Sequence, residues 1–435
     1  MSANNKPTAR SLAVQVLVAN EKNGTYVDLL LENDTHVRTL ASRDMALLRE
    51  LVFGVLRNRS FLDLHIRNYI RRGYDTFDVK IKNILRVAFY QLLFLDRVPD
   101  YAVISEAVEQ AKNTGTGSQA KLVNGVLRTF QREPWKPELS SAADLQEIAE
   151  YMSHPLWLVS RFVEQFGTEE LLPWLKANNR IPVTFLRHLH AQEACMDPEL
   201  QSTDFDGYFA MPAGLRLQML KGWQTGRYIV QDPSAGLAVA LLAAEAGERI
   251  IDLCAAPGGK AVALAKLVGP EGRIVAVEIE KKRLGKIHEN VTRTGAENVE
   301  IVQADARTVE LDAADAVLVD APCSGFGVMA RKPDIRWLRK PEDMRALLRL
   351  QRHILHNAAG LVKPGGRLIY STCTTDREEN EMMVTAFLQQ HREFALESAG
   401  EFVPDRFVTE RGFVRSWPHL HGIDGSFAAR LVRRK

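Results

Sequence analysis

The sequence predicts a multidomain chain: an all-α helical bundle, then a small α+β module, then an α/β domain built on a mostly parallel sheet. Three observations carry this reading. At 435 residues the chain is too long for one ordinary core. Residues 1–133 show only helical periodicity. From residue 229 onward, short apolar runs alternate with helical stretches, the rhythm of a parallel sheet covered on both faces.

The helical part opens with Ala9, Leu12, Ala13, Val16 and Leu17 on one stripe, with Thr8 placed as an N-cap. Leu47, Leu48, Leu51, Val52 and Val55 repeat the pattern, as do Ile81, Ile84, Leu85, Ala88, Phe89 and Leu92, and then Val123, Val126, Leu127 and Phe130. Stripes like these bury against each other in a bundle. Arg57, Arg59, Arg67, Arg71 and Arg72 fall on its polar positions and read as a solvated face. Two prolines and two serines in 133–141 make a linker. Residues 145–228 read as the small module, with helical periodicity through Trp157, Phe162, Leu171 and Leu175. Strand-like alternation follows at Val183–Arg187 and Leu215–Met219. In 229–435, strands are expected at 249–254, 273–278, 299–303, 316–320 and 367–372, with helices at 261–268, 281–295 and 341–362 between them.

With 46% hydrophobic and 25% charged residues the chain is globular in composition, which excludes collagen, coiled coil and wholesale disorder. The net charge is +2, but residues 1–133 hold 19 bases against 14 acids, a bias that permits a polyanionic partner without demanding one. Met1–Arg10 lacks the apolar stretch of a signal peptide, and no run approaches the ~20 apolar residues of a membrane span. Cys195, Cys254, Cys323 and Cys373 cannot make a disulfide scaffold, and none stands in a CxxC spacing. No metal and no membrane partner are therefore expected, and the expected setting is the reducing cytoplasm.

Asp252-Leu-Cys-Ala-Ala-Pro-Gly-Gly-Lys260 joins a strand to a helix, so the turn of Cys254, Ala255, Ala256, Pro257, Gly258, Gly259 and Lys260 presents free backbone N–H groups (from all but Pro257) and a helix end to a ligand. Cys254 stands where a phosphate-binding loop needs its first Gly, and the GxGxxG fingerprint is absent, so a nucleoside cofactor without a pyrophosphate remains. Glu278 ends the next strand, where a carboxylate can accept from both ribose hydroxyls, and Asp305 after the third can address an adenine amino group. Either acid alone reads as an ordinary strand end. In this order, with the turn, they suit S-adenosylmethionine.

Asp320-Ala-Pro-Cys-Ser-Gly325 and Ser371-Thr-Cys-Thr374 each follow a strand, so Cys323 and Cys373 share one cleft if those strands are neighbours. A thiol beside a methyl donor suits methylation of an unreactive ring carbon. Adding a thiolate to C6 of cytosine makes C5 an enamine carbon, splitting one hard step into easier ones. Asp320 is placed to hydrogen-bond the N3/N4 edge of the base. Sequence order alone leaves open which cysteine attacks.

These three motifs together resemble the RNA cytosine-5 methyltransferase family, in its branch acting on bacterial 16S ribosomal RNA. Leu51-Val-Phe-Gly-Val-Leu-Arg-Asn-Arg, Ala88-Phe-Tyr-Gln-Leu-Leu and Val123-Asn-Gly-Val-Leu-Arg are similar to the NusB-like RNA-binding domain fused to such enzymes. The resemblance implies a NusB-like bundle over 1–133, an RNA-binding or linking module over 145–228, and a Rossmann-like methyltransferase domain over 229–435. It implies Cys373 as the nucleophile, Cys323 as an aid to product release, and S-adenosylmethionine contacts at 254–260, Glu278, Asp305 and Asp320. Glu278 stands where the family more often has Asp. Arg187-His-Leu-His replaces an Arg-x-Asn segment, and Gly425-Ser-Phe replaces Gly-Phe-Phe.

Between the cysteines, Ala330–Lys340 carries five bases and Trp337, which reads as an RNA-contacting loop with a stacking ring. The expected activity is C5 methylation of a cytosine in 16S ribosomal RNA, unassembled or partly assembled, by a monomer. The competing readings are the same chemistry on transfer RNA, or a non-catalytic RNA-binding assembly factor.

Overall fold

A computed structural model describes residues 7–70, 73–113, 117–190 and 193–435. Arg71 and Arg72 of the expected basic face lie outside the described residues. The chain forms two compact units, Met1–Arg180 with Met329–Lys340, and Ile181–Val328 with Pro341–Lys435.

The first unit is helical. Its long helices are Ala9–Asn23, Ser42–Arg57, Arg59–Asn68, Val79–Phe94, Asp100–Lys112 and Gly117–Arg132. Thr8 caps the first by accepting from the Ser11 N–H, and Gly24 ends it in the left-handed region at φ 65°. Leu12, Leu17, Leu48, Leu51, Leu62, Leu85, Phe89, Val123 and Leu127 form one core. Val79–Phe94 is buried along most of its length, so it is the central helix.

Of the arginines of the expected solvated face, Arg57 and Arg59 are engaged internally, whereas Arg67 is exposed as expected. Arg57 is buried and donates to the Ala330 carbonyl at 3.2 Å. Arg59 pairs with Glu21 at 2.7 Å, and Arg67 pairs with Asp75 at 2.9 Å.

The 145–228 stretch does not stand as one module. Its helices Leu145–Tyr151, Leu156–Phe166 and Leu171–Asn178 belong to the first unit, and its strands belong to the second. Met329–Lys340 also belongs to the first unit, which overturns the RNA-loop reading of Trp337. The Trp337 ring packs on the helical core, its Nε1 donates to the Leu56 carbonyl at 2.8 Å, and the Arg59 guanidinium lies 5.1 Å from the ring centre. Arg336 is fully buried, donating to the carbonyls of Ser153 and Asn178 and to Asn179 Oδ1. Asp334 accepts from the Val27 N–H at 2.8 Å. An apolar ring and a guanidinium with this many internal acceptors are worth more buried than left on a loop.

The second unit holds two sheets. In the smaller, β1 (Thr184–His188), β2 (Gln201–Ser202), β3 (Tyr208–Met211) and β4 (Tyr228–Val230) lie in the order β2-β3-β1-β4. Leu215–Met219 is not a strand. Gly214 turns the chain at φ 84°, and Leu217–Met219 closes a 3₁₀ turn through the Met219 N–H to the Arg216 carbonyl.

The larger sheet comprises β5 (Arg249–Leu253), β6 (Arg273–Glu278), β7 (Val299–Gln303), β8 (Ala314–Asp320), β9 (Val362–Thr372), β10 (Phe394–Glu397), β11 (Val414–Ser416) and β12 (Ser426–Arg433). Its order is β10-β12-β9-β8-β5-β6-β7, with β11 on β12. Strands β5 to β9 are parallel, and the C-terminal strands are antiparallel. Alternate residues feed opposite faces. Ile250, Ile274, Ala316 and Leu318 enter one core, while Ile251, Val275, Val317 and Val319 enter the other. Succession runs outward from β5 through β6 to β7, then restarts on the other side at β8. The gap between the ends of β5 and β8 is thus the switch point where such sheets bind ligands. Among the described residues no helix is long and apolar enough to cross a membrane.

Candidate active site

Strand β5 delivers the chain to Cys254 at φ 63° and Gly258 at φ 97°, and the helix Gly259–Val268 begins at once. A side chain at Gly258 would meet the Ile287 backbone at 3.2 Å in a conformation that L-residues rarely adopt, so glycine is required there. The turn is anchored by the Ala255 N–H on the Val277 carbonyl and the Gly258 N–H on the Ala255 carbonyl.

Acid surrounds this turn. Asp252 is fully buried, and neither of its oxygens has a hydrogen-bond partner. Burial, then the nearby Asp320 and Glu278 against the pull of Lys260, push its carboxyl up to about 8. Glu278, at the end of β6 and also buried, accepts from the Glu280 N–H at 3.0 Å and pairs with Arg283 at 3.2 Å. Lys260 donates to Asp320 Oδ2 at 2.7 Å, linking this turn directly to the end of β8. Burial alone would lower the Lys260 ammonium, but Asp320, Asp252 and Cys373 together raise it. Asp305 stands two residues beyond β7 in a forked ion pair with Arg307, whose hydrogen bonds hold its carboxyl below the usual range.

The cysteine-bearing strands are neighbours. β8 and β9 pair in parallel with Asp320 opposite Ser371, and the Ala321 N–H bonds the Ser371 carbonyl at 2.9 Å. Cys323 and Cys373 consequently face each other, Sγ to Sγ 3.3 Å. Cys373 is exposed and Cys323 is half-buried. The hydrogen bond with Cys373, then burial, raise the Cys323 thiol well above its ordinary value, and either sulfur can be the donor of the bond between them. Burial and the same acids raise Cys254, which is an inert thiol in the turn.

Gly327 and Gly425 explain one departure from the expected motif. A side chain on Gly327 would lie 1.9 Å from the Gly425 carbonyl oxygen, and the Gly425 N–H donates to the Gly327 carbonyl at 2.8 Å. Gly425-Ser-Phe thus preserves the glycine that the close approach needs. Arg187, in the other departure, donates to Gln231 Oε1 at 3.0 Å, and Gln231 faces Gly259 of the glycine turn.

Sequence reasoning overlooked the polar side chains behind the cysteines, Gln351, Glu379 and Asn380, all fully buried. The available signal was a Glu379-Asn380 pair six residues after a strand-end cysteine.

Residues 239–432 match the family model described as 16S rRNA methyltransferase RsmB/F, and residues 7–132 match the NusB family. The chain is 34% identical to the probable ribosomal RNA small subunit methyltransferase B of Bacillus subtilis (strain 168), over 99% of each chain. It is 33% identical to the ribosomal RNA small subunit methyltransferase B of Citrobacter koseri, over 99% of this chain and 100% of that one. Among solved structures, NSun6 from Pyrococcus horikoshii with SFG shares the fold at TM-score 0.57 and 24% identity, over 65% of this chain and 98% of that one.

Proposed function

We propose that this chain, which belongs to the 16S rRNA methyltransferase RsmB/F family and is therefore an S-adenosylmethionine-dependent methyltransferase of small-subunit ribosomal RNA, acts on C5 of a cytosine through a covalent bond from Cys373 to C6. The observation that carries the reading is the cysteine pair: an exposed sulfur at a strand end, 3.3 Å from a second, half-buried sulfur.

The residues of the turn suit the cofactor. Asp252, Glu278 and Asp320 form an acidic surround, and Asp252 has two unbonded oxygens, an environment that favours a sulfonium and an ammonium. Cys254–Lys260, Glu278, Asp305 and Asp320 are the residues that would hold it. When bound, S-adenosylmethionine supplies the electrophilic methyl group that C5 attacks.

The chain's own groups do the rest. Cys373 adds to C6 as thiolate, stabilised by the Cys323 S–H. Asp320, fixed by Lys260, addresses the N3/N4 edge of the base. After methylation a base removes the C5 proton, the C–H electrons restore the C5–C6 double bond, and the C6–S bond breaks. Its electron pair returns to Cys373, where the Cys323 S–H again donates to the departing sulfur. A ring carbon reaches a thiol only when the base is out of its stack, which supports unassembled or partly assembled RNA as substrate.

The test is Cys323→Ala incubated with cofactor and a 16S RNA transcript, followed by denaturing electrophoresis. A protein–RNA adduct that is absent from Cys323→Ala/Cys373→Ala is the expected result. No adduct, or an adduct that persists without Cys373, overturns the assignment.

A further inference from the structure

Behind the two cysteines lies a buried polar cluster that this chemistry leaves without a task. Glu379 and Gln351 are both fully buried. Glu379 Oε2 accepts from the Ser324 N–H at 2.9 Å and from Gln351 Nε2 at 2.7 Å. The same Gln351 nitrogen donates to the Pro322 carbonyl at 2.9 Å. Pro322 and Ser324 flank Cys323, so the pair grips the backbone of that cysteine from both sides.

The second loop is tied into the same cluster. Ser324 Oγ and Thr374 Oγ1 share a hydrogen bond of 2.7 Å, each next to one of the cysteines. Asn380 Nδ2 donates to the Thr374 carbonyl at 2.9 Å, and the Tyr370 hydroxyl donates to the Glu379 carbonyl at 2.7 Å. The Gly327 N–H donates to the Cys373 carbonyl at 3.0 Å.

Burying a carboxyl group carries a desolvation cost that apolar packing in the same volume would avoid. What directional bonds add is a fixed place for the groups they hold. Here those groups are the two peptide units on either side of Cys323. An S–H that must meet a departing sulfur works only within a narrow range of distance and angle, and a displacement of about 1 Å can cost about 100-fold in rate.

We infer that Glu379, together with Gln351, is a positioning residue that holds the Cys323 thiol against the Cys373 sulfur for the release step. The inference rests on the two-cysteine reading given above, and it locates the control of release in residues that touch neither base nor cofactor.

Full-length Glu379→Ala, Glu379→Gln and Cys323→Ala are to be compared on a protein-free 16S RNA transcript. Glu379→Gln keeps an oxygen for both donors, whereas Glu379→Ala removes the acceptor. Glu379→Ala is expected to slow turnover about 10–100-fold with KM for RNA unchanged, and to accumulate the same denaturant-resistant adduct as Cys323→Ala. Glu379→Gln is expected to restore turnover and abolish the adduct. An adduct with Cys323→Ala but none with a folded Glu379→Ala overturns the inference and leaves the two-cysteine reading standing. An adduct with neither variant overturns that reading, and the inference with it. Should Glu379→Ala fail to fold, Gln351→Ala removes the Pro322 tether and one donor to Glu379 while leaving the Ser324 tether in place. A smaller accumulation of adduct there supports the inference, and wild-type turnover without adduct overturns it.

Discussion

Replacing Asp252 by asparagine should make the ligand-free enzyme more stable. The Asp252 carboxyl is fully buried with neither oxygen bonded, and burial, Asp320 and Glu278, opposed by Lys260, push its pKa from 3.8 up to about 8. The unfolded chain gives up this proton near 3.8, so from there to about 8 the folded state binds more protons than the unfolded one. The contribution of this group to stability is therefore full below 3.8, falls as pH rises toward about 8, and is level beyond. At pH 7, about three units above the unfolded value at about 1.4 kcal/mol per unit, the cost is about 4 kcal/mol. An unbonded amide and an unbonded neutral carboxyl pay comparable desolvation costs, which cancel, so Asp252→Asn should gain about 4 kcal/mol at pH 7 and about 2 kcal/mol at pH 5. Urea melts from pH 5 to 8 measure it: the gap between the two proteins should widen as pH rises. A gap that is constant with pH, or a variant less stable throughout, refutes the reasoning. The same cause has a second signature. A positively charged cofactor should draw the proton off Asp252, so calorimetry in two buffers of different ionisation enthalpy should show proton release by the native enzyme at pH 7 and less by Asp252→Asn.

Cys373→Ala should abolish methyl transfer while leaving cofactor affinity unchanged by calorimetry; residual activity removes it as nucleophile. Iodoacetamide should alkylate Cys373 before Cys323, because the first is exposed and the second half-buried with a raised pKa; mass spectrometry showing the reverse order contradicts the protonation described here. Gly327→Ala places a methyl 1.9 Å from the Gly425 carbonyl oxygen, a backbone atom that no rotamer change can move. It should cost about 2–4 kcal/mol in urea melts and slow turnover by shifting the Cys373 loop, and native stability would show the approach to be looser than described. Trp337→Ala should lose about 2–4 kcal/mol with RNA affinity unchanged; unaltered stability with weakened RNA binding would restore the stacking role.

Strands β6 and β7 are legible in the sequence to the residue, because Ile274, Val275, Ala276 and Val277 are apolar on both faces and Gly or Asn marks their approaches. β9 is legible only from Arg367. Its start at Val362 crosses Pro364-Gly-Gly, residues that argue against a strand, and Gly365 takes φ 80° there. Each half of the cysteine pair is legible because each thiol follows its own apolar run, but the adjacency of those runs is set by the strand order of the folded sheet. Gln351 is not legible, since a Gln among Arg349, Arg352 and His353 reads as the wet side of an amphipathic helix. Nor are the burial of Arg336 and the packing of the half-buried Trp337, because periodicity is silent about which residues far along the chain will supply acceptors such as the Leu56 and Asn178 carbonyls.

The discontinuity of the helical unit bears on how the protein is made. Translation at about 5–20 residues per second puts roughly 150 residues, on the order of ten to thirty seconds, between the emergence of Arg180 and that of Met329. Throughout that interval the Leu56, Ser153 and Asn178 carbonyls and the Val27 N–H lack the partners that Asp334, Arg336 and Trp337 supply in the folded chain. An expression fragment truncated at Arg180 freezes that nascent condition. Supplying a twelve-residue peptide of the Met329–Lys340 sequence in trans is the direct way to complete it.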